Sequence, residues 1–141
     1  MKGHAHHRNT HIYFCRNVIT NPGLAAAMAN LSLMEGVHVE PVPCGGRIDP
    51  RYILKAFEGD AHGVALITCP VTHCRMLEGN LRAIHRIGLV REFLAESGLD
   101  PDSVKVFVPD NSDDSAIRNS IADAGRFAAA LTVPAKEVAQ Q

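Results

Sequence analysis

The sequence predicts a single α/β domain of three layers, built on a mostly parallel four-stranded sheet in flavodoxin-like order, 2-1-3-4. Three observations carry this. Apolar β-prone runs alternate with helical patterns in the order β-α-β-α-β-α-β-α, which calls for parallel strands joined by right-handed crossovers with helices on both faces. One run, Gly63 to Thr68 (GVALIT), is continuously apolar, the mark of a strand buried on both sides in mid-sheet. At 141 residues, 46% of them hydrophobic, the chain has the length and the side chains for one ordinary core.

The first strand is read at His11 to Cys15, followed by a turn signal, Asn21-Pro22-Gly23, and an alanine-rich helix from Leu24 to Met34. Val37 to Val42 alternates as a strand does, and Pro41 inside it points to an edge position, since proline cannot donate to a ladder. After Pro43-Cys44-Gly45-Gly46, Asp49 and Pro50 supply an acidic N-cap and a first-turn proline for a helix through Ile53 and Phe57, stopped by Glu58-Gly59-Asp60. The apolar third strand delivers Cys69. A long helix is expected from about Cys74 to Ser97, with Leu77, Leu81, Ile84, Gly88 and Leu89 in register and Gly98 as its stop. Val104 to Val108 forms the last strand, and Ser112-Asp113-Asp114 caps a final helix through Ile117, Ile121, Phe127 and Leu131. The expected organisation is a His-rich tail over residues 1–10, the α/β domain over 11–133 and a C-terminal tail over 134–141; His4, His6, His7 and His11 read as solvated tail residues.

Several function classes drop out on composition. A formal charge of -1 gives no field that would draw in nucleic acid or anionic lipid. Aromatics make up 5% and Trp is absent, so the stacking platforms of single-strand binders are missing. No apolar run approaches the roughly 20 residues of a membrane span, and the start, MKGHAHHRNTH, lacks a signal-peptide core. A cytoplasmic protein is expected. In that reducing setting its four cysteines are metal ligands, catalytic thiols or buried apolar residues before they are disulfides.

Their positions favour the first use. Cys15, Cys44 and Cys69 each follow a predicted strand, so all three fall on the carboxyl edge of the sheet, where ligand sites of open α/β sheets lie. Cys74, five residues past Cys69, can fold back to the same point. Four thiolates suit tetrahedral zinc, a 2Fe-2S cluster or a 4Fe-4S cluster. A chain with its own core and one short-spaced pair departs from the usual zinc knuckle, which favours iron-sulfur. Gly45 and Gly46 beside Cys44 would let backbone N–H groups approach cluster sulfurs, although an ordinary tight turn uses them equally well.

From Pro43 to Ala83 the sequence resembles the delta subunit of methyl-viologen-reducing hydrogenase. The matching elements are Cys44-Gly45-Gly46-Arg47-Ile48-Asp49-Pro50, Leu54-Lys55-Ala56-Phe57, Ala61-His62-Gly63-Val64, the Cys69 to Cys74 spacing and Gly79-Asn80, with Phe14-Cys15-Arg16-Asn17 upstream. The resemblance spans about Ile12 to Phe107. It implies an electron-transfer subunit with one 2Fe-2S cluster on Cys15, Cys44, Cys69 and Cys74, docked on a flavoprotein of the heterodisulfide reductase A type. Host complexes of the hydrogenase, formate dehydrogenase, heterodisulfide reductase and benzoyl-CoA reductase types are all compatible with it. Arg16 and Ile19 stand where the family often has further cysteines, and Arg75 replaces a His.

Rival readings have specific carriers. Cys69 to Arg75 satisfies C-x5-R, the oxyanion loop of cysteine-dependent phosphatases and arsenate reductases. Pro70 removes an N–H from that loop, no glycine relaxes it, and Met76 stands where a hydroxyl normally supports the nucleophile. An FMN site would use the first β-α loop, Arg16 to Gly23, which lacks the hydroxyl and glycine density expected of one. A structural zinc protein, or one with four merely buried cysteines, is the bland alternative. Arg47 either faces an anionic cluster or is solvated, Asp49 caps its helix, and His73 is the reserve ligand ahead of His62 and His38.

Overall fold

The computed structural model describes residues 9–43, 48–59, 61–70 and 79–131. Along the chain run β1 (Asn9–Cys15), a 3-10 turn (Arg16–Val18), α1 (Pro22–Leu31), β2 (Val37–Val42), α2 (Pro50–Glu58), β3 (Ala61–Ile67), α3 (Gly79–Glu96), a second 3-10 turn (Pro101–Ser103), β4 (Val104–Phe107) and α4 (Asp114–Leu131). The sheet has the expected order β2-β1-β3-β4, and every pairing is parallel. Pro41 lies on the edge strand β2, opposite Phe14 of β1, so its missing N–H costs no interior ladder bond.

The chain leaves β1 toward β2, then crosses back over β1 to β3. With right-handed crossovers, that reversal puts α1 on one face and α2 and α3 on the other. α4 returns to pack on α1. Two core layers result. Ile12, Ala65 and Ile67 meet Leu24, Met28, Ile117, Ile121, Ala124 and Ala128 on the α1/α4 side. Tyr13, Val64 and Leu66 meet Ile53, Ala83, Ile87, Val90 and Leu94 on the α2/α3 side. Val64 to Ile67 are all 0% exposed, which is why β3 reads as an unbroken apolar run.

Element bounds depart from expectation where polar side chains hold backbone. β1 starts at Asn9, with Thr10 fully buried and its N–H on the Gly36 carbonyl at 2.8 Å. His11, expected in the solvated tail, belongs to this strand, and its ring lies 5.1 Å from that of His38. Asn21 does not mark a turn; its Oδ1 accepts the Leu24 N–H at 2.8 Å and caps α1, with Pro22 in the first turn. Asp49 caps α2 as expected, accepting from the Arg51 N–H at 2.8 Å.

The register expected for α3 is corrected. Its buried stripe is Ala83, Ile87, Val90 and Leu94, while Ile84 and Leu89 are 40% and 46% exposed. Counting large apolar residues misses this face because one of its members is an alanine. The helix closes as expected at Gly98, whose φ of +80° brings the Leu99 N–H to the Leu94 carbonyl at 2.8 Å. The expected start of this helix, near Cys74, lies outside the described residues.

Candidate metal centre

β1 and β3 are neighbours, with Phe14 opposite Ile67, so their carboxyl ends leave the sheet side by side. Cys15 is the last residue of β1, and Cys69 comes two residues after β3. Past the strand, the Thr68 N–H still bonds the Phe107 carbonyl at 3.0 Å, which carries the chain one step beyond the ladder before it turns. The Thr68 hydroxyl donates to the Cys69 carbonyl at 3.0 Å. Both thiols join the α1/α4 core layer, beside Val18, Leu24, Ile67 and Ile117.

The two sulfurs are 3.4 Å apart, and Cys15 and Cys69 are only 2% and 3% exposed. A disulfide needs about 2.05 Å. Two thiolates on one tetrahedral metal with bonds of about 2.3 Å sit roughly 3.8 Å apart. The pair therefore fits two corners of a tetrahedral thiolate site after a shift of a few tenths of an ångström. β2 contributes backbone at the same spot: the Pro43 carbonyl lies 4.0 Å from the Cys15 sulfur. The other two expected ligands, Cys44 and Cys74, lie outside the described residues, as do Arg47, His73 and Arg75. Among the described residues no three His, Cys, Asp or Glu side chains gather as a metal site.

The electrostatics of this edge follow from the topology. Each helix begins where a strand ends, so the N-termini of α1, α2, α3 and α4 all lie at the carboxyl edge, and their positive dipole ends favour an anionic centre there. Two of these ends are tied together: Asn21 Nδ2 donates to Asp114 Oδ1 at 3.0 Å, and Arg118 bonds the same carboxylate. Arg118 first and Asn21 second hold the Asp114 carboxyl below its ordinary value. On the other side Arg86 of α3 donates to the Ile48 carbonyl at 2.8 Å, anchoring the chain just before α2. Asp49 is held low by Arg51, and Arg51 is raised in return.

The remaining candidates separate from this point. His38 is the second residue of β2 and His62 the second of β3, both at the amino end of the sheet; His62 Nδ1 accepts the Asn9 N–H at 3.2 Å. Arg16 and Ile19 line a cavity of about 510 Å³ with Phe14, Met28, Val39 and Pro41, alongside α1. The Cys69 thiol is buried against Cys15, which is poor access for an oxyanion nucleophile. Sequence reasoning missed the polar line on the opposite face. There Tyr52 donates to Glu40 at 3.0 Å and its ring lies 5.4 Å from that of Tyr13, whose hydroxyl is pushed up to about 12, chiefly by burial. Tyr13 and Glu40 are legible in the sequence only as alternating strand residues.

Fold and site together define a small parallel α/β protein with a cysteine centre at the carboxyl edge of its sheet. Residues 11–130 match the family described as methyl-viologen-reducing hydrogenase, delta subunit, and the chain belongs to that family. It is 37% identical over 70 residues to the iron-sulfur subunit of the F420-non-reducing hydrogenase of Archaeoglobus profundus, spanning 50% of this chain and about half, 51%, of that protein. It is 30% identical over 110 residues to the vhu iron-sulfur subunit of the F420-non-reducing hydrogenase of Methanococcus maripaludis, spanning 76% of this chain and 75% of the other. The A chain of the ferredoxin:CoB-CoM heterodisulfide reductase of Methanosarcina mazei is 29% identical over 103 residues; the match takes in 69% of this chain but only 13% of that much longer protein. Among the described residues no helix is long and apolar enough to cross a membrane.

Proposed function

We propose that the chain is an electron-transfer subunit that holds one 2Fe-2S cluster on Cys15, Cys44, Cys69 and Cys74 and exchanges electrons with a flavoprotein partner in a larger redox complex. The observation that carries this reading is the pair of buried sulfurs, 3.4 Å apart at the ends of adjacent parallel strands. Cys44 follows Pro43, whose carbonyl already lies beside the Cys15 sulfur, and this supports the third ligand. The relatives named as iron-sulfur subunits support the cofactor. A region like this chain within the A chain of a heterodisulfide reductase supports the partner.

When bound, such a cluster would take up and release single electrons, with its potential set by charge, hydrogen bonds and exposure. The chain's part is to hold thiolates. Burial of Cys15 and Cys69 among Val18, Leu24 and Ile117 keeps water from the ligand sulfurs. The helix N-termini lower the cost of gathering negative charge at the edge. Four thiolates leave no open coordination position, so the protein offers substrate no site and its work is transfer alone. A cytoplasmic location and a host of the hydrogenase or heterodisulfide reductase type belong to the same reading.

The test is metal and sulfide analysis of the anaerobically purified chain, with EPR after reduction. About two irons per chain and the spectrum of a reduced two-iron centre are expected. Colourless protein with one zinc would keep the ligands and replace the cluster by the structural zinc reading. Turnover of an aryl phosphate or arsenate by the chain alone would revive the enzyme built on Cys69 to Arg75.

A further inference from the structure

We propose that Cys15 and Cys69 form a redox modification site: without metal, the pair is oxidised by a small hydroperoxide to a disulfide that blocks reloading until it is reduced. The proposal rests on the reading of these thiols as metal ligands and extends it to the metal-free chain. Its basis is geometric. The sulfurs stand 3.4 Å apart, so about 1.4 Å of approach would bring them to bonding distance. Their residues leave adjacent parallel strands, whose spacing of about 4.8 Å falls within the Cα separation that a disulfide spans. Neither strand end needs to turn around, because the Cys69 thiol already points at the Cys15 sulfur.

The chemistry balances without further reagents. One thiolate attacks a peroxide oxygen, the O–O bond breaks, and a sulfenic acid forms as the other oxygen leaves and is protonated to water. The second thiolate attacks that sulfur, the S–S bond forms, and the second oxygen departs as water once protonated. Two thiols and one hydrogen peroxide thus give one disulfide and two waters. Burial selects the oxidant: at 2% and 3% exposure the pair admits a peroxide far more readily than a bulky disulfide such as oxidised glutathione. It also selects the outcome, because a sulfenic acid formed here meets a thiol before it meets a second peroxide.

The experiment uses the full chain, stripped of metal by a chelator under anaerobic conditions and then given one equivalent of hydrogen peroxide. Peptide mapping without reductant should find Cys15 and Cys69 joined, with a mass lower by about 2 Da. Iron uptake from iron and sulfide should be lost and should return after a dithiol reductant. The double variant Cys44→Ala/Cys74→Ala should form the same link at a similar rate. A link from either cysteine to Cys44 or Cys74, or sulfinic acid in place of a link, would overturn the proposal, as would failure of the double variant to form the Cys15 to Cys69 link. Iron uptake by the reduced wild-type chain reads the metal assignment separately. If reduced protein takes up no iron yet forms the link, the metal reading falls and the thiol pair stands.

Discussion

The two faces of the sheet are built alike, each from two helices over alternating strand residues, yet they do different things. On the α2/α3 face, Val64 and Leu66 pack against Ile53, Ile87 and Leu94, and the polar line Tyr13, Tyr52 and Glu40 stands at its margin. On the α1/α4 face the hydrocarbon continues to the carboxyl edge and ends in two thiols, Cys15 and Cys69. The difference teaches that one face is committed to stability, whereas the other also insulates a centre. Paired substitutions across the sheet should therefore separate folding from cofactor binding.

The largest expected effect is on the thiol face. Cys69→Ser or Cys15→Ser should lower iron from about two per chain to near none, because a hard hydroxyl replaces a soft thiolate. The far-UV circular dichroism should keep its native form, since the core does not depend on metal. Full iron content in Cys15→Ser would remove the β1 ligand and break the comparison.

Next come two truncations in one strand. Leu66→Ala and Ile67→Ala should each cost about 2–5 kcal/mol in denaturant unfolding, as fully buried large-to-small changes do. Only Ile67→Ala, whose side chain joins the thiol layer, should alter the visible and EPR signature of the loaded protein. Equal spectra in the two variants would show that the faces are not insulated from each other.

Smaller effects are expected where the two helices of the thiol face are tied at their N-termini. Asn21→Ala should cost about 1 kcal/mol through loss of the α1 cap. It also removes a partner of Asp114. That carboxyl is held below its ordinary value, so its contribution is complete above the unfolded value and is lost as pH falls through the folded one. Stability measured from neutral to acid pH should consequently fall less steeply in Asn21→Ala than in the wild type.

The smallest effect at neutral pH belongs to the other face. The Tyr13 hydroxyl titrates near 10.0 when unfolded and about 12 when folded, so the stabilisation of its protonated form is full below 10 and lost as pH rises toward 12. Tyr13→Phe should flatten unfolding stability across that alkaline window and leave iron content unchanged. An unaltered alkaline slope would assign the loss to other groups.

Much of this is legible in local pattern. The edge place of Pro41, the cap at Asp49 and the stop at Gly98 each depend on residues within one or two turns of each other, so sequence alone exposes them. The α1 start escapes the sequence because Asn-Pro-Gly serves a turn as well as a cap, and only the Asn21 to Leu24 bond decides between them. The α3 register escapes it because Ala83 is buried while Leu89 is exposed, and burial depends on the distance to the sheet rather than on side-chain size.

By itself the sequence determined a parallel α/β sheet and the placing of cysteines at strand ends, since alternation of elements and chain direction put those ends on one edge. Only the tertiary structure decided that Cys15 and Cys69 meet at 3.4 Å in a dry layer, because strand adjacency, register and the step past β3 at Thr68 are set by long-range pairing.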